Sequence, residues 1–162
     1  MITKEIILEA VNRMNNEPYC KEVIFPYGKE GLIQKLIEIE ITRQCAIVYP
    51  HYEIHHPADN SGLPDVYSDV LKQGFEIKTT SGYKYLDRHG KEREAVRWVN
   101  RAMTDVSDDI IKFLFIKFSI EDNMLIVSDA WYGDITYKDW KQQKRVAYIT
   151  KNKVNSLCKK II

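Results

Sequence analysis

The chain contains no uncharged apolar run approaching the roughly 18 residues of a membrane-spanning helix, which argues against a transmembrane segment. Its opening, Met1-Ile-Thr-Lys-Glu-Ile, puts charges where a secretory signal needs its apolar stretch, so no export signal is expected. Cysteine is scarce: Cys20, Cys45 and Cys158 are odd in number and show no C-x-x-C spacing. That argues against a disulfide framework and a thiolate zinc site, and for a reducing compartment. Seven glycines and five prolines in 162 residues exclude a collagen-like repeat or a low-complexity linker. What is present, 44% hydrophobic and 29% charged residues, is the composition of a folded globule rather than a disordered tail. A chain of this size buries about 70% of its unfolded surface and needs no covalent staple. One soluble cytoplasmic domain over residues 1–162 is the expectation.

Net charge is +1, yet it is unevenly spread. Residues 79–101 carry six Lys/Arg against three acids, and residues 141–162 carry seven against none. The intervening residues 102–140 carry three against eight. Near-neutrality overall therefore does not argue against an anionic partner, because a polyanion responds to the local positive face.

Thr3 reads as an N-cap, and Ile6, Ile7, Ala10, Val11 and Met14 recur at helical spacing, predicting a helix over residues 4–15. A second helix is expected at about residues 29–43, with Leu32, Ile33, Leu36 and Ile37 as its buried stripe. Residues 50–64, with His51, His55, His56, Pro57, Asn60, Ser61 and Gly62, read as a loop. Strands follow at 66–70 and 75–80, with Leu71-Lys72-Gln73-Gly74 as the turn. Residues 81–103 read as polar, basic and irregular, with a helical turn around 94–103. Further strands are predicted over 113–118 and 124–129, within a stretch of sheet spanning about 112–129. A short helix is expected over 134–143, a strand over 146–149, and a last basic helix capped by Thr150. This order is α+β around one central mixed sheet flanked by helices.

The informative stretch runs from Leu63 to Thr80. Glu76 and Lys78 lie two apart on a predicted strand, so both project from one face. With the turn centred between Leu71 and Lys72, Asp65 pairs opposite Lys78 and lies diagonal to Glu76, about 7–8 Å away between backbones. Two carboxylates converging in this way can share a Mg²⁺ ion, a hard cation that takes oxygen ligands at about 2.0–2.1 Å and keeps several waters. Such a metal polarises a phosphodiester and supplies hydroxide near neutral pH. Lys78 would orient the attacking water or offset charge developing on the phosphate.

These residues resemble the PD-(D/E)XK nucleases, which include most type II restriction endonucleases. Pro64-Asp65 matches the PD element, and Glu76-Ile77-Lys78 matches the ExK element, followed by Thr79-Thr80. Size and layout are most similar to the small homodimeric PvuII-like enzymes. There a Gly-Lys segment opens the core helix, as Gly28-Lys29 does here, and an Asp-Asn-x-Gly stretch precedes the ExK strand, as Asp59-Asn60-Ser61-Gly62 does.

The resemblance implies a restriction endonuclease-like fold with a core helix, a three-strand meander holding the acids, and a later helix and strand. It implies Mg²⁺-dependent hydrolysis of double-stranded DNA, with Mn²⁺ able to substitute, and catalysis by Asp65, Glu76 and Lys78. The metal ligands would be Asp65, Glu76, the carbonyl of Ile77 and an acid on the core helix. Glu30 is the nearest match for that acid and Glu38 the second. Asp59 is an alternative to Asp65, although the preceding proline and the spacing favour Asp65. A palindromic site cut on both strands asks for a homodimer. A restriction enzyme of a prokaryotic or phage host cell also implies a companion DNA methyltransferase acting on the same site.

Lys84, Arg88, Lys91, Arg93, Arg97 and Arg101 follow the ExK strand, where they would flank the cleft and contact phosphates or guanine edges. Lys144, Arg145, Lys151 and Lys153 belong to the basic tail that would track phosphates. Two other readings stand beside this one: a structure-selective nuclease of the junction-resolvase or repair type, and a DNA-binding module that keeps the fold without cleaving.

Overall fold

The computed structural model describes residues 4–17, 30–58, 61–81, 84–86, 88–90, 92–94, 97–100, 110–143 and 146–162. For residues 30–32, 84–86, 92–94, 97–100, 143 and 146 it describes the backbone alone.

Two helices come first, α1 (Lys4–Asn16) and α2 (Glu30–Val48). On α1 the five apolar positions expected from spacing are all buried. On α2 the buried stripe includes Ile33 and Ile37 and continues through Ile41 and Cys45, each fully buried. That continued four-residue spacing carries the helix five residues past the predicted end.

The strands are β1 (Ile54–His55), β2 (Val66–Ser68), β3 (Gln73–Thr80), β4 (Lys84–Leu86), β5 (Glu92–Glu94) and β6 (Arg97–Asn100). Then follow β7 (Ile111–Glu121), β8 (Met124–Ile135), β9 (Lys141–Gln143), β10 (Val146–Thr150), the short helix α3 (Lys151–Leu157) and β11 (Cys158–Lys160). The protein is α+β, built on a six-stranded mixed sheet in the order β1-β2-β3-β7-β8-β11. Strands β6, β10 and β9 make a second, three-stranded sheet, and β4 pairs with β5.

Side-chain alternation divides the apolar residues between the two faces of the large sheet. Phe75, Ile77, Leu114 and Ile116 pack with α1 and α2. Phe113, Phe115 and Trp131 pack with Trp140, just before β9, with Ala147 and Ile149 of the second sheet and with Val154 of α3. Two of the three tryptophans, Trp131 and Trp140, are thus core residues of this second cluster.

Several expectations are corrected. The third strand beside the acids is not part of a meander: β3 and β7 run parallel, with Glu76 level with Phe113 and Lys78 with Phe115. Parallel neighbours need a crossover, and residues 81–110 supply it. Segment 81–103 is not irregular where it is described, since β4, β5 and β6 fall within it. The 50–64 stretch holds a 3₁₀ turn (Pro50–Tyr52) and β1, which pairs with β2.

Residues 134–143 are not a helix. β8 runs on to Ile135, a 3₁₀ turn (Tyr137–Asp139) follows, and β9 begins at Lys141. Thr136 and Asp139 cap that turn reciprocally, and Trp140 returns to extended backbone, so only a single turn forms. The last basic helix is as expected in its start, with the Thr150 hydroxyl accepting from the Lys153 N–H, but it stops at Leu157 and leads into β11.

Candidate active site

Pro64-Asp65 leads directly into β2, and β2 pairs antiparallel with β3 through Val66–Phe75, Tyr67–Gly74 and Ser68–Gln73. The connection is therefore Asp69 to Lys72, two residues earlier than predicted. Ser68 fixes it: its hydroxyl accepts from the Leu71 N–H at 3.1 Å and donates to the Tyr52 carbonyl. Lys72 takes the left-handed conformation, φ 51°, that closes the turn. Gly74, expected in the turn, lies in β3 because the chain comes very close there. A Cβ on Gly74 would sit 2.3 Å from the Val66 carbonyl oxygen and 2.6 Å from Cγ of Pro64.

The observed register extends to place Asp65 opposite Glu76, not opposite Lys78. A shift of two residues preserves facing, so Asp65 still lies on the side of Glu76 and Lys78 and feels the charge of both. Asp65 Oδ2 accepts from the Ile77 N–H at 2.8 Å. Lys78 Nζ donates to Glu76 Oε1 at 2.6 Å. Lys78 is only 9% exposed, a depth at which an ammonium needs a partner such as Glu76.

In an extended strand the N–H and C=O of one residue leave on the same side. The Ile77 carbonyl therefore emerges beside the Asp65 carboxylate, beyond the end of β2. Two carboxylates and one carbonyl are thus gathered at the open end of the β2–β3 hairpin.

The electrostatics of this corner are unfavourable to charge on Asp65. Burial is the largest cause, and the carboxylates of Glu76 and Glu38 add to it, pushing the Asp65 carboxyl from 3.8 up to about 6. The Lys78 ammonium and the Ile77 N–H pull the other way without restoring the ordinary value. Here Glu38 is the helix acid that Asp65 senses; it is 2% exposed and sits mid-way along α2. Glu30 forms the first turn of α2, and its side chain is outside the described residues, as is Asp59 altogether.

Glu38 belongs to a polar cluster absent from the sequence reading. Its Oε1 accepts from Gln34 Nε2 at 2.7 Å, and its Oε2 lies 3.0 Å from Lys35 Nζ and 3.6 Å from His56 Nε2. His56 reaches the other way with Nδ1 to the Asp65 backbone carbonyl. His56, nine residues before Asp65 in sequence, is therefore in direct contact with it. Only the spacing of Gln34, Lys35 and Glu38 along one side of α2 hinted at such a cluster, since polar residues there interrupt an apolar helix. His55 instead faces Asp69, 3.4 Å away, and His51 is exposed.

Among the described residues no group of three or more His, Cys, Asp or Glu is gathered as a metal cage. The donor set at Asp65, Glu76 and Ile77 fits the other kind of site. Mg²⁺ is held by one or two carboxylates and completes its shell with water and substrate oxygens.

Of the residues expected to touch DNA, Arg88 is exposed and its Nε lies 3.0 Å from His89 Nε2. Lys151 and Lys153 are in the first turn of α3, and Lys153 Nζ pairs with Asp139 at 3.1 Å. Lys84, Arg93 and Arg97 lie on β4, β5 and β6, with Tyr85 level with Arg93. Lys91, Arg101, Lys144 and Arg145 lie outside the described residues. Among the described residues no helix is long and apolar enough to cross a membrane. Compared with protein-family models, with curated proteins and with solved structures, the chain matches none.

Proposed function

We propose that the protein is a Mg²⁺-dependent endodeoxyribonuclease with a restriction endonuclease-like fold, a type II restriction enzyme acting as a homodimer on a short palindromic sequence. The observation that carries this reading is the meeting of Asp65, Glu76 and Lys78 in a corner where Asp65 resists ionisation. Three acids crowd that corner, Asp65, Glu76 and Glu38, against Lys78 and, farther out, Lys35. Such excess negative potential favours a divalent cation, and groups with raised pKa values cluster at functional sites.

The residues have separate parts in this reading. Asp65, Glu76 and the Ile77 carbonyl hold Mg²⁺, which when bound acidifies a water and polarises the scissile phosphodiester. Lys78 lies within reach of the same corner and offsets the charge that builds on the phosphate oxygens. The packing of α2 behind β3, through Ile33, Ile37 and Ile77, keeps the acid-bearing strand rigid. The basic residues of β4 to β6 and of the C-terminal segment bring the phosphate backbone to the site, which makes DNA affinity fall steeply with salt.

The test is cleavage of supercoiled plasmid by the full chain in millimolar Mg²⁺, with EDTA as control. Glu76→Ala and Lys78→Ala are each expected to lower the rate by about 100-fold or more. Discrete fragments with uniform ends are expected. Cutting confined to branched or mismatched DNA would replace restriction with repair, and salt-sensitive binding without turnover would overturn the enzymatic reading.

A further inference from the structure

The segment between β1 and β2 brings Asp65 to the site, and one contact holds the Asp65 backbone itself. His56, half-buried just after β1, meets the Asp65 carbonyl with Nδ1. A carbonyl only accepts, so Nδ1 carries the ring proton. A ring protonated on Nδ1 alone presents Nε2 as an acceptor, and Lys35 Nζ lies 2.9 Å from it. Lys35 in turn lies 3.0 Å from the buried carboxylate of Glu38. The chain of contacts therefore runs from the rigid helix α2, through the imidazole, to the peptide of Asp65. It continues through the Asp65 carboxylate to the Ile77 N–H on β3.

We infer that His56 is a positioning residue, which aims the Asp65 carboxylate at the Glu76–Lys78 pair by holding the Asp65 carbonyl, with Lys35 fixing the tautomer. The role of the histidine passes through the backbone of Asp65. The consequence for metal binding rests on the nuclease reading; the aiming of Asp65 does not. Partners that orient a metal ligand typically influence affinity by about 10–100-fold.

The experiment compares His56→Asn, His56→Gln and His56→Ala in the full chain. The asparagine amide nitrogen occupies the place of Nδ1 and can still donate to the Asp65 carbonyl. The glutamine amide reaches the place of Nε2 and cannot. Three readouts are taken: amide hydrogen exchange at Ile77 in metal-free protein, Mn²⁺ affinity by electron paramagnetic resonance without DNA, and plasmid cleavage against Mg²⁺ concentration.

His56→Ala and His56→Gln are expected to speed exchange at Ile77, and to weaken Mn²⁺ binding and raise the Mg²⁺ requirement by about tenfold or more. His56→Asn should stay within about threefold of the wild type on all three. Unchanged exchange and affinity in His56→Ala, or no rescue by His56→Asn over His56→Gln, overturns the inference while leaving a functioning nuclease. A wild type that binds no Mn²⁺ and cuts no DNA overturns the nuclease reading instead, and the Ile77 exchange pattern still decides the role of His56.

Discussion

Asp65→Asn removes the charge that the corner disfavours while keeping the shape, and its effect on stability can be worked out in advance. The carboxyl is raised from 3.8 to about 6, so the folded state binds this proton more tightly than the unfolded chain. Stability from this group is fully present below pH 3.8 and is lost as pH rises through about 6. At about 1.4 kcal/mol per pH unit, the folded metal-free protein is penalised by about 3 kcal/mol once Asp65 is ionised. Asparagine is never charged, and its carbonyl oxygen can still accept from the Ile77 N–H. In EDTA at pH 7.5, Asp65→Asn should therefore be more stable than the wild type by up to about 3 kcal/mol, with the gap closing near pH 4. Urea unfolding followed by tryptophan fluorescence, in matched buffers from pH 4 to 7.5, measures it. A variant less stable than the wild type at pH 7.5, or a gap that does not change with pH, would refute the electrostatic account of this site. The same variant should be inactive in cleavage, which is the trade of stability against activity expected where a site stores unfavourable charge.

A cation at Asp65 must displace its proton, so Mn²⁺ affinity should fall by up to tenfold between pH 6 and pH 5, and calorimetric titration showing a flat pH profile would count against Asp65 as a ligand. Gly74→Ala would drive a Cβ into the Val66 carbonyl oxygen and the Pro64 ring, at 2.3 Å and 2.6 Å. A loss of about 1–3 kcal/mol in urea unfolding is expected, with cleavage falling more than stability explains because Pro64-Asp65 must move. Cys45 lies in the α1–α2–sheet core with its thiol pushed up to about 12 by burial. It should react with a thiol reagent at pH 8 only after denaturant is added; rapid labelling of the native protein at Cys45 would contradict the packing of α2.

Local periodicity made much of the architecture legible. Four-residue spacing marks α1 and α2, and the buried Phe75 and Ile77 alternating with Glu76 and Lys78 mark β3. What periodicity does not contain is pairing between distant segments. That β7 lies beside β3 and runs parallel to it depends on a crossover of some thirty residues, and no local signal encodes it. Glycine misled for a related reason. Gly74 reads as a turn residue, yet it lies within a strand where the Val66 backbone comes close, and Gly133 in β8 is likewise approached by Cys158, whose Cα would be 2.7 Å from an added Cβ. A glycine needed for proximity looks in sequence like a glycine needed for bending.

The candidate site survived this error for a geometric reason. Misplacing the turn moved the partner of Asp65 from Glu76 to Lys78, a slip of two, and side chains repeat their facing every two residues. A slip of one would have sent Asp65 to the opposite face. The strand motif was therefore robust to a slip of two, whereas the choice of helix acid rests on more than local sequence. Choosing between Glu30 and Glu38 requires knowing how far α2 slides along the sheet, and Ile33, Ile37 and Ile41 set that offset through packing against a strand some forty residues away. Glu38, one position after Ile37, is carried by this stripe into the hearing of Asp65. His56 was illegible for the same reason taken further: its contact with Asp65 is made across a loop, and its contact with Lys35 depends on where that loop meets α2. Residues whose roles are set by the strand repeat can be read before folding; those whose roles are set by the docking of one element on another cannot.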